Sequence, residues 1–185
     1  RHFLGLYPGS TVVFDLRSSR VVPEEIRAAG GVPRRERVGH SFMKKAMADG
    51  HGVFGGELSG HFYFRDNFNA DSGAIVFAVM ASVVSAQDRG LSELIGPLKR
   101  CVQSGEMNFR VEDKQAVMDQ LAEKYADGRI DHLDGITCQY DDWWFNVRPS
   151  NTEPLLRLNL EAANRDMMMD KLGWLIEILG KPIVH

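Results

Sequence analysis

The sequence predicts an α/β three-layer mixed-sheet domain followed by a smaller α+β domain whose helices lie on one face of its sheet. Three observations carry this expectation. A β-branched segment at 11–16 is followed by a helix and then another strand, the alternation of α/β architecture. The residues after 106 spell β-α-β-β-β-α, and Gly96-Pro97 with Ser104-Gly105 punctuate the chain between the two patterns. With 185 residues and 44% hydrophobic content the chain is long enough for one or two cores.

Thr11–Leu16 is rich in β-branched and aromatic residues and reads as a buried strand. Pro23-Glu24-Glu25 at the start and Gly30-Gly31 at the end punctuate a helix. A strand follows near Val32–Val38, then a short basic helix over Ser41–Asp49, closed by Gly50. Val53–Leu58 and His61–Arg65 pair around Ser59-Gly60. Asn69, Asp71 or Ser72 caps the next helix. The uncharged run Ser72–Gln87 is too short for a bilayer at about 1.5 Å per helical residue, so a buried helix is expected. Gly90–Val102 reads as a further helix, weakened by Gly96-Pro97.

In the second pattern Met107–Val111 is a strand, and Lys114–Ala126 is a helix with Val117, Met118, Leu121 and Tyr125 on one face. Gly135–Tyr140, Trp143–Val147 and Leu156–Leu160 are strands. Asp166–Leu179 closes the unit with Met168, Leu172, Leu175, Ile176 and Leu179 on one face. Residues 1–10 read as the remnant of an upstream linker, since the chain opens on Arg1 without Met and looks like a piece of something longer. Residues 97–105 read as a hinge.

The net charge of -3 and a pI near 6.1 argue against nucleic acid as a partner. No signal peptide or membrane span is visible, so a cytoplasmic location is the default. Cys101 and Cys138 lack metal-ligand spacing and read as reduced thiols. His2, His51, His132 and His185 likewise show no metal spacing.

Two clusters carry chemistry. Arg148-Pro149-Ser150-Asn151-Thr152-Glu153-Pro154 sets one guanidinium, two hydroxyls and a carboxamide in a loop restricted by two prolines. Arg grips two phosphate oxygens at once, and Ser150 and Thr152 add donors. Trp143, Phe145 and Val147 alternate toward the core, which puts Arg148 on the opposite face. A solvated hairpin with Arg148 in a surface ion pair accounts for the same residues. The second cluster is Gly56-Glu57-Leu58-Ser59-Gly60-His61. Were it extended, Glu57, Ser59 and His61 would share one face, offering a carboxylate, a hydroxyl and an imidazole to sugar hydroxyls. A glycine-dependent hairpin with solvated polar residues is the plainer account. Arg17, beyond the first strand, and His40, before a helix, occupy places where α/β proteins meet ligands.

Together these motifs resemble the phosphomannomutase/phosphoglucomutase branch of the α-D-phosphohexomutase superfamily. Gly56–His61 is similar to its sugar-recognition loop and Arg148–Pro154 to its phosphate-binding loop. The resemblance covers the third domain at 11–96 and the fourth, C-terminal domain at 106–185. It implies that Glu57 and Ser59 hold sugar hydroxyls, that His61 contacts substrate or assists proton transfer, and that Arg148, Ser150, Asn151 and Thr152 grip the phosphate that is not reacting. Arg17 matches a basic residue facing the active site, and His40 matches the His of a Gly-His-Ser motif. The family's phosphoserine loop (a Thr-Ala-Ser-His-Asn-Pro type) and its metal loop (an Asp-Gly-Asp-x-Asp-Arg type) are absent from these 185 residues.

The resemblance therefore implies the substrate-recognition half of an isomerase that interconverts hexose 1-phosphates and 6-phosphates through a phosphoserine and a bisphosphorylated sugar. Magnesium would serve the longer parent, with no ligands for it here. Mannose or glucose phosphate and the upstream domains of the same chain would be the partners, and the piece alone is expected to be inactive. A phosphoglucosamine mutase is the second reading; that branch typically carries Gly at Asn151 and Gln at Leu58. A non-catalytic phosphosugar-binding module is the third.

Overall fold

The structure, a computed structural model, describes residues 1–150 and 153–183. The chain divides into two compact units, Arg1–Lys99 and Arg100–His185.

The first unit runs α1 (His2–Leu6), β1 (Thr11–Asp15), α2 (Val21–Ala28), β2 (Val32–Glu36), α3 (His40–Asp49), β3 (Phe54–Gly56), β4 (Phe62–Phe64), β5 (Ala70–Asp71), α4 (Gly73–Ser85) and α5 (Leu91–Ile95). Its sheet has the order β2-β1-β3-β4-β5. β1 runs parallel to β2 and to β3, whereas β4 and β5 are antiparallel additions. Alternation along β1 explains the three layers. Val12 and Phe14 point to one side, where they pack with Leu4, Ile26 and Val53. Val13 points to the other and meets Met43, Ala46, Met47 and Tyr63. Thus α1 and α2 cover one face and α3 the other.

The second unit runs β6 (Val102–Arg110), α6 (Lys114–Lys124), β7 (Arg129–Asp131), β8 (Ile136–Gln139), β9 (Trp143–Pro149), β10 (Leu155–Ala162), α7 (Arg165–Leu179) and β11 (Pro182–Ile183). All neighbours in its sheet, β11-β6-β10-β9-β8-β7, are antiparallel. Phe109, Phe145, Val147, Leu156 and Leu158, all fully buried, form the core with Leu121 of α6 and Leu175 of α7. Each such side chain contributes about 1.5–3 kcal/mol by leaving water. Asp113 and Asn164 cap α6 and α7 by accepting from the Ala116 and Met167 backbone N–H groups.

Several expectations need correction. Residues 1–10 are more than a linker remnant, because Leu4 of α1 is buried in the first core and Phe3 stacks on Phe54. The helix expected over 90–102 stops at Ile95 and tightens into a 3-10 turn over Gly96–Leu98, since Pro97 lacks the N–H a helix interior requires. The segment 97–105, expected to be all linker, is not: Val102 already pairs with Ala162 in the sheet. Gly105 lies within that strand at φ 74, close to the register shift between Asn159 and Glu161. The apolar run forms α4, capped by Ser72, but none of its residues is buried and Phe77 is 75% exposed. A helix apolar all round asks for cover on every side; the described residues of this chain do not provide it. Two short strands, β7 and β11, widen the second sheet beyond the four expected.

Candidate functional site

In the first sheet the connections from β1 go outward to β2 and then back across to β3. The order reverses between β1 and β3, and loops at the carboxyl ends of parallel strands flanking such a reversal form a ligand crevice. Arg17 lies two residues beyond β1 and Glu57 one residue beyond β3, so both loops leave the sheet at the same edge.

There they meet. Arg17 Nε donates to Asp15 Oδ2 at 2.9 Å, and its guanidinium lies 3.7 Å from Glu57 Oε2 and 3.4 Å from Ser59 Oγ. Asp15 is fully buried and also accepts from the Leu58 N–H at 3.1 Å. Glu57, 6% exposed, accepts from the Tyr63 hydroxyl and from the Gly39 N–H at 3.3 Å. Gly39 has φ 130, a conformation that favours glycine, and it precedes α3. The carboxylates thus fix the loop after β3 and the start of α3 against one another. Burial, with Glu57 close by, pushes the Tyr63 phenol well above its ordinary pKa, so Tyr63 is a neutral hydrogen-bond donor to Glu57.

The segment 57–61 is a turn and not the extended strand that would align Glu57, Ser59 and His61. The Glu57 N–H donates to His61 O, the Gly60 N–H donates to Glu57 O, and Gly60 adopts φ 88. The turn folds Glu57 inward and leaves Ser59 exposed, with Ser59 Oγ 3.0 Å from His61 Nδ1. Glu57 is therefore a buried anchor whose oxygens already hold protein donors. Ser59 and His61 are the members that face outward.

His40, the first residue of α3, packs edge-on to His61 with ring centroids 4.4 Å apart, and its Nδ1 is 3.4 Å from Asp71 Oδ1. Asp71 pairs with Tyr63 across β5 and β4, which puts it on the same sheet face as Tyr63 and His61. Lys44 Nζ, one turn along α3, is 3.8 Å from Asp71. His40, His61 and Asp71 can each offer one ligand atom within 4.8 Å of the others. The spacing of histidines along the chain gave no hint of this grouping.

In the second unit Arg148, the penultimate residue of β9, lies on the face away from the core, as the alternation predicts, yet it is only 3% exposed. The opposite face of β9, Trp144, Asn146 and Arg148, is buried, and each of these side chains makes hydrogen bonds. Trp144 Nε1 donates to Glu161 Oε1 at 2.9 Å, and Asn146 Nδ2 donates to Asp134 O and Thr137 Oγ1. One terminal nitrogen of Arg148 donates to Glu106 Oε2 at 2.7 Å, and Arg157 reaches Glu106 Oε1 at 3.2 Å. Arg148 Nε and Ser150 Oγ are buried and find no hydrogen-bond partner among the described residues. A buried donor left unmatched is costly, about 1–3 kcal/mol, unless a ligand or water meets it. Asn151 and Thr152 lie outside the described residues.

Of the residues expected to form sites, Arg17, His40, Glu57, Ser59 and His61 come together in the first unit. Arg148 and Ser150 are neighbours in the second. Sequence reasoning missed Tyr63 and Asp71 in the first site and Glu106 and Arg157 in the second. Alternation marks Tyr63 as sharing a face with His61, and Arg157 stands out as the cation in a strand that alternates Leu with polar residues. Asp71 and Glu106 have no local signal, because their partners are brought to them by the fold.

Fold and sites define a two-unit α/β protein with a polar side-chain cluster where a mixed sheet reverses its strand order, followed by an antiparallel unit carrying a buried arginine at the end of a central strand. Residues 2–101 match the family profile for the phosphoglucomutase/phosphomannomutase alpha/beta/alpha domain III, and residues 106–170 match the profile for its C-terminal domain. The chain belongs to the phosphoglucomutase/phosphomannomutase family. It is 41% identical over 170 residues to a phosphomannomutase of Methanocaldococcus jannaschii, covering 92% of this chain and 38% of the relative. It is 38% identical to a phosphomannomutase of Vibrio cholerae, covering 97% of this chain and 40% of that protein. A solved structure of a phosphoglucomutase/phosphomannomutase family protein from Burkholderia thailandensis superposes with TM-score 0.82 at 26% identity, over 95% of this chain and 39% of that one. The chain thus spans about two fifths of the length of these relatives. Among the described residues no helix is long and apolar enough to cross a membrane.

Proposed function

We propose that this chain is the substrate-recognition portion of a phosphohexomutase, a longer protein that interconverts hexose 1-phosphates and hexose 6-phosphates. Arg148 and Ser150, with Asn151 and Thr152, bind the phosphate that does not react. Ser59 and His61 contact the sugar hydroxyls, Arg17 and Glu57 hold that turn in place, and His40 flanks it. His61 is the residue assigned to proton transfer. The observation that carries the reading is the buried, unmatched pair of donors, Arg148 Nε and Ser150 Oγ, the first belonging to a guanidinium cation. A phosphate oxygen fits such donors at charge-assisted strength.

Phosphoryl transfer itself would fall to a phosphoserine and its metal on a longer chain, and neither motif occurs in these 185 residues. Magnesium prefers oxygen donors in octahedral array. The donor group found among the described residues contains two imidazoles and does not fit it. The reading thus predicts ligand binding without turnover by this chain. Mannose or glucose phosphate is the expected ligand, in line with the phosphomannomutase relatives.

Calorimetric titration with mannose 1-phosphate and glucose 6-phosphate tests it. The Arg148→Ala variant should bind roughly ten- to a hundredfold more weakly, the loss of one charge-assisted contact of about 1.5–3 kcal/mol. Ser150→Ala leaves the Arg148–Glu106 pair intact and should still weaken binding. Equal isotherms for wild type and both variants would refute the assignment. A coupled mutase assay showing turnover by this chain would refute the prediction of inactivity.

A further inference from the structure

We propose that His40, His61 and Asp71 form a binding site for a divalent transition cation of the zinc class. Two imidazoles and one carboxylate are the donor set of three-ligand zinc sites, which keep a further position for water or another ligand. The three residues arrive from three elements: the start of α3, the residue before β4, and the end of β5. Their ligand atoms lie within 4.8 Å of one another. A tetrahedral ion with bonds of about 2.0–2.2 Å wants donors about 3.3–3.6 Å apart. The 3.4 Å between His40 Nδ1 and Asp71 Oδ1 already meets that spacing. The His40 side chain is 47% exposed, so it can turn to bring the set closer.

The surroundings fit as well. Ser59 Oγ, 3.0 Å from His61 Nδ1, holds the His61 ring and leaves Nε2 for the ion, the arrangement by which neighbouring groups orient metal-binding histidines. Lys44 Nζ now lies 3.8 Å from Asp71, but its side chain is 43% exposed and swings into solvent when a cation replaces it. An ion here would occupy the imidazole that the proposed function gives to the sugar and so exclude that ligand. That consequence rests on the proposed function; the binding of the ion does not.

The test uses the 185-residue chain without a histidine tag and with Cys101→Ser, which removes the more exposed thiol. Titration with Co2+ is followed by its visible ligand-field absorption, with Zn2+ added to displace it. One equivalent should bind with tetrahedral-type bands. His40→Ala, His61→Ala and Asp71→Asn should each weaken binding at least tenfold, while His51→Asn should leave it unchanged. Circular dichroism confirms that each variant is folded, and His40→Ala alters an exposed side chain that a fold should tolerate. Absence of saturable absorption, or equal titrations for wild type and the three ligand variants, would overturn the proposal. No sugar is present, so failure of hexose phosphate binding leaves this result standing.

Discussion

The two polar sites are built on opposite principles. In the first unit Asp15, Arg17, Glu57 and Tyr63 satisfy one another, and buried carboxylates hold the loops by their own hydrogen bonds. In the second, Arg148 and Ser150 are just as buried, but each keeps a polar atom unmatched among the described residues. A self-satisfied network contributes rigidity, so its loss is felt as stability. A donor-rich edge is completed from outside, so its loss is felt as affinity. Buried position alone does not distinguish the two; the hydrogen-bond accounting does.

The comparison breaks most sharply at the structural supports. A Cβ at Gly135, where φ is 67, would lie 2.2 Å from Val147 O and 2.6 Å from Arg148 Cα. Gly135→Ala should destabilise the second unit by roughly 2–5 kcal/mol, from the left-handed penalty plus backbone displacement. Thermal denaturation followed by Trp fluorescence reads this, since Trp143 and Trp144 are buried in the same unit on β9. In the first unit Asp15→Ala removes the nearest of the buried Arg17's partners and the acceptor of the Leu58 N–H, and should cost about 3–5 kcal/mol in urea denaturation. A loss below about 1 kcal/mol would mean that the network is not the support described.

Ser150→Ala sharpens the contrast. Removing a hydroxyl with no described partner should leave stability unchanged or raise it by up to about 1–3 kcal/mol while lowering phosphate-ester affinity. A large stability loss would place Ser150 with the self-satisfied group. The smallest effect concerns pH. Burial raises the Tyr63 pKa above the ordinary value of 10.0. Below pH 10 the phenol is protonated folded or unfolded, and its contribution is fully present. As pH climbs past 10 the unfolded chain releases the proton first, so stability falls. Tyr63→Phe should flatten that alkaline decline, measured as Tm between pH 9 and 11. An unchanged slope would remove Tyr63 from the account.

Much of the fold is legible in the sequence. The strand at Thr11–Asp15, the helices Lys114–Lys124 and Arg165–Leu179, and the inward set Trp143, Phe145 and Val147 follow from period and punctuation alone. Gly39 and Gly60 mark real positive-φ positions beside the first site. What stayed hidden depends on long-range placement. His40 and Asp71 are 31 positions apart and meet only because α3 and β5 converge. Glu106 lies 42 positions from Arg148, across a sheet whose register no local pattern sets. The sequence leaves the shape of 57–61 open, because alternating polar residues fit a strand as well as the glycine-dependent hairpin that is the plainer account; the positive φ of Gly60 gives the hairpin. Helix α4 misled for another reason: its composition reports a need for cover, which a lone chain does not have to meet.

The parallel run of β1 and β3 has an evolutionary consequence. Both strands discharge their loops at one rim, while the residues that knit the layers, Val13 and Met47 among them, sit inside the sheet sandwich. Replacements or insertions at that rim need not disturb strand register, since loops absorb them at little thermodynamic cost. Selectivity can therefore drift quickly on a scaffold that itself hardly changes.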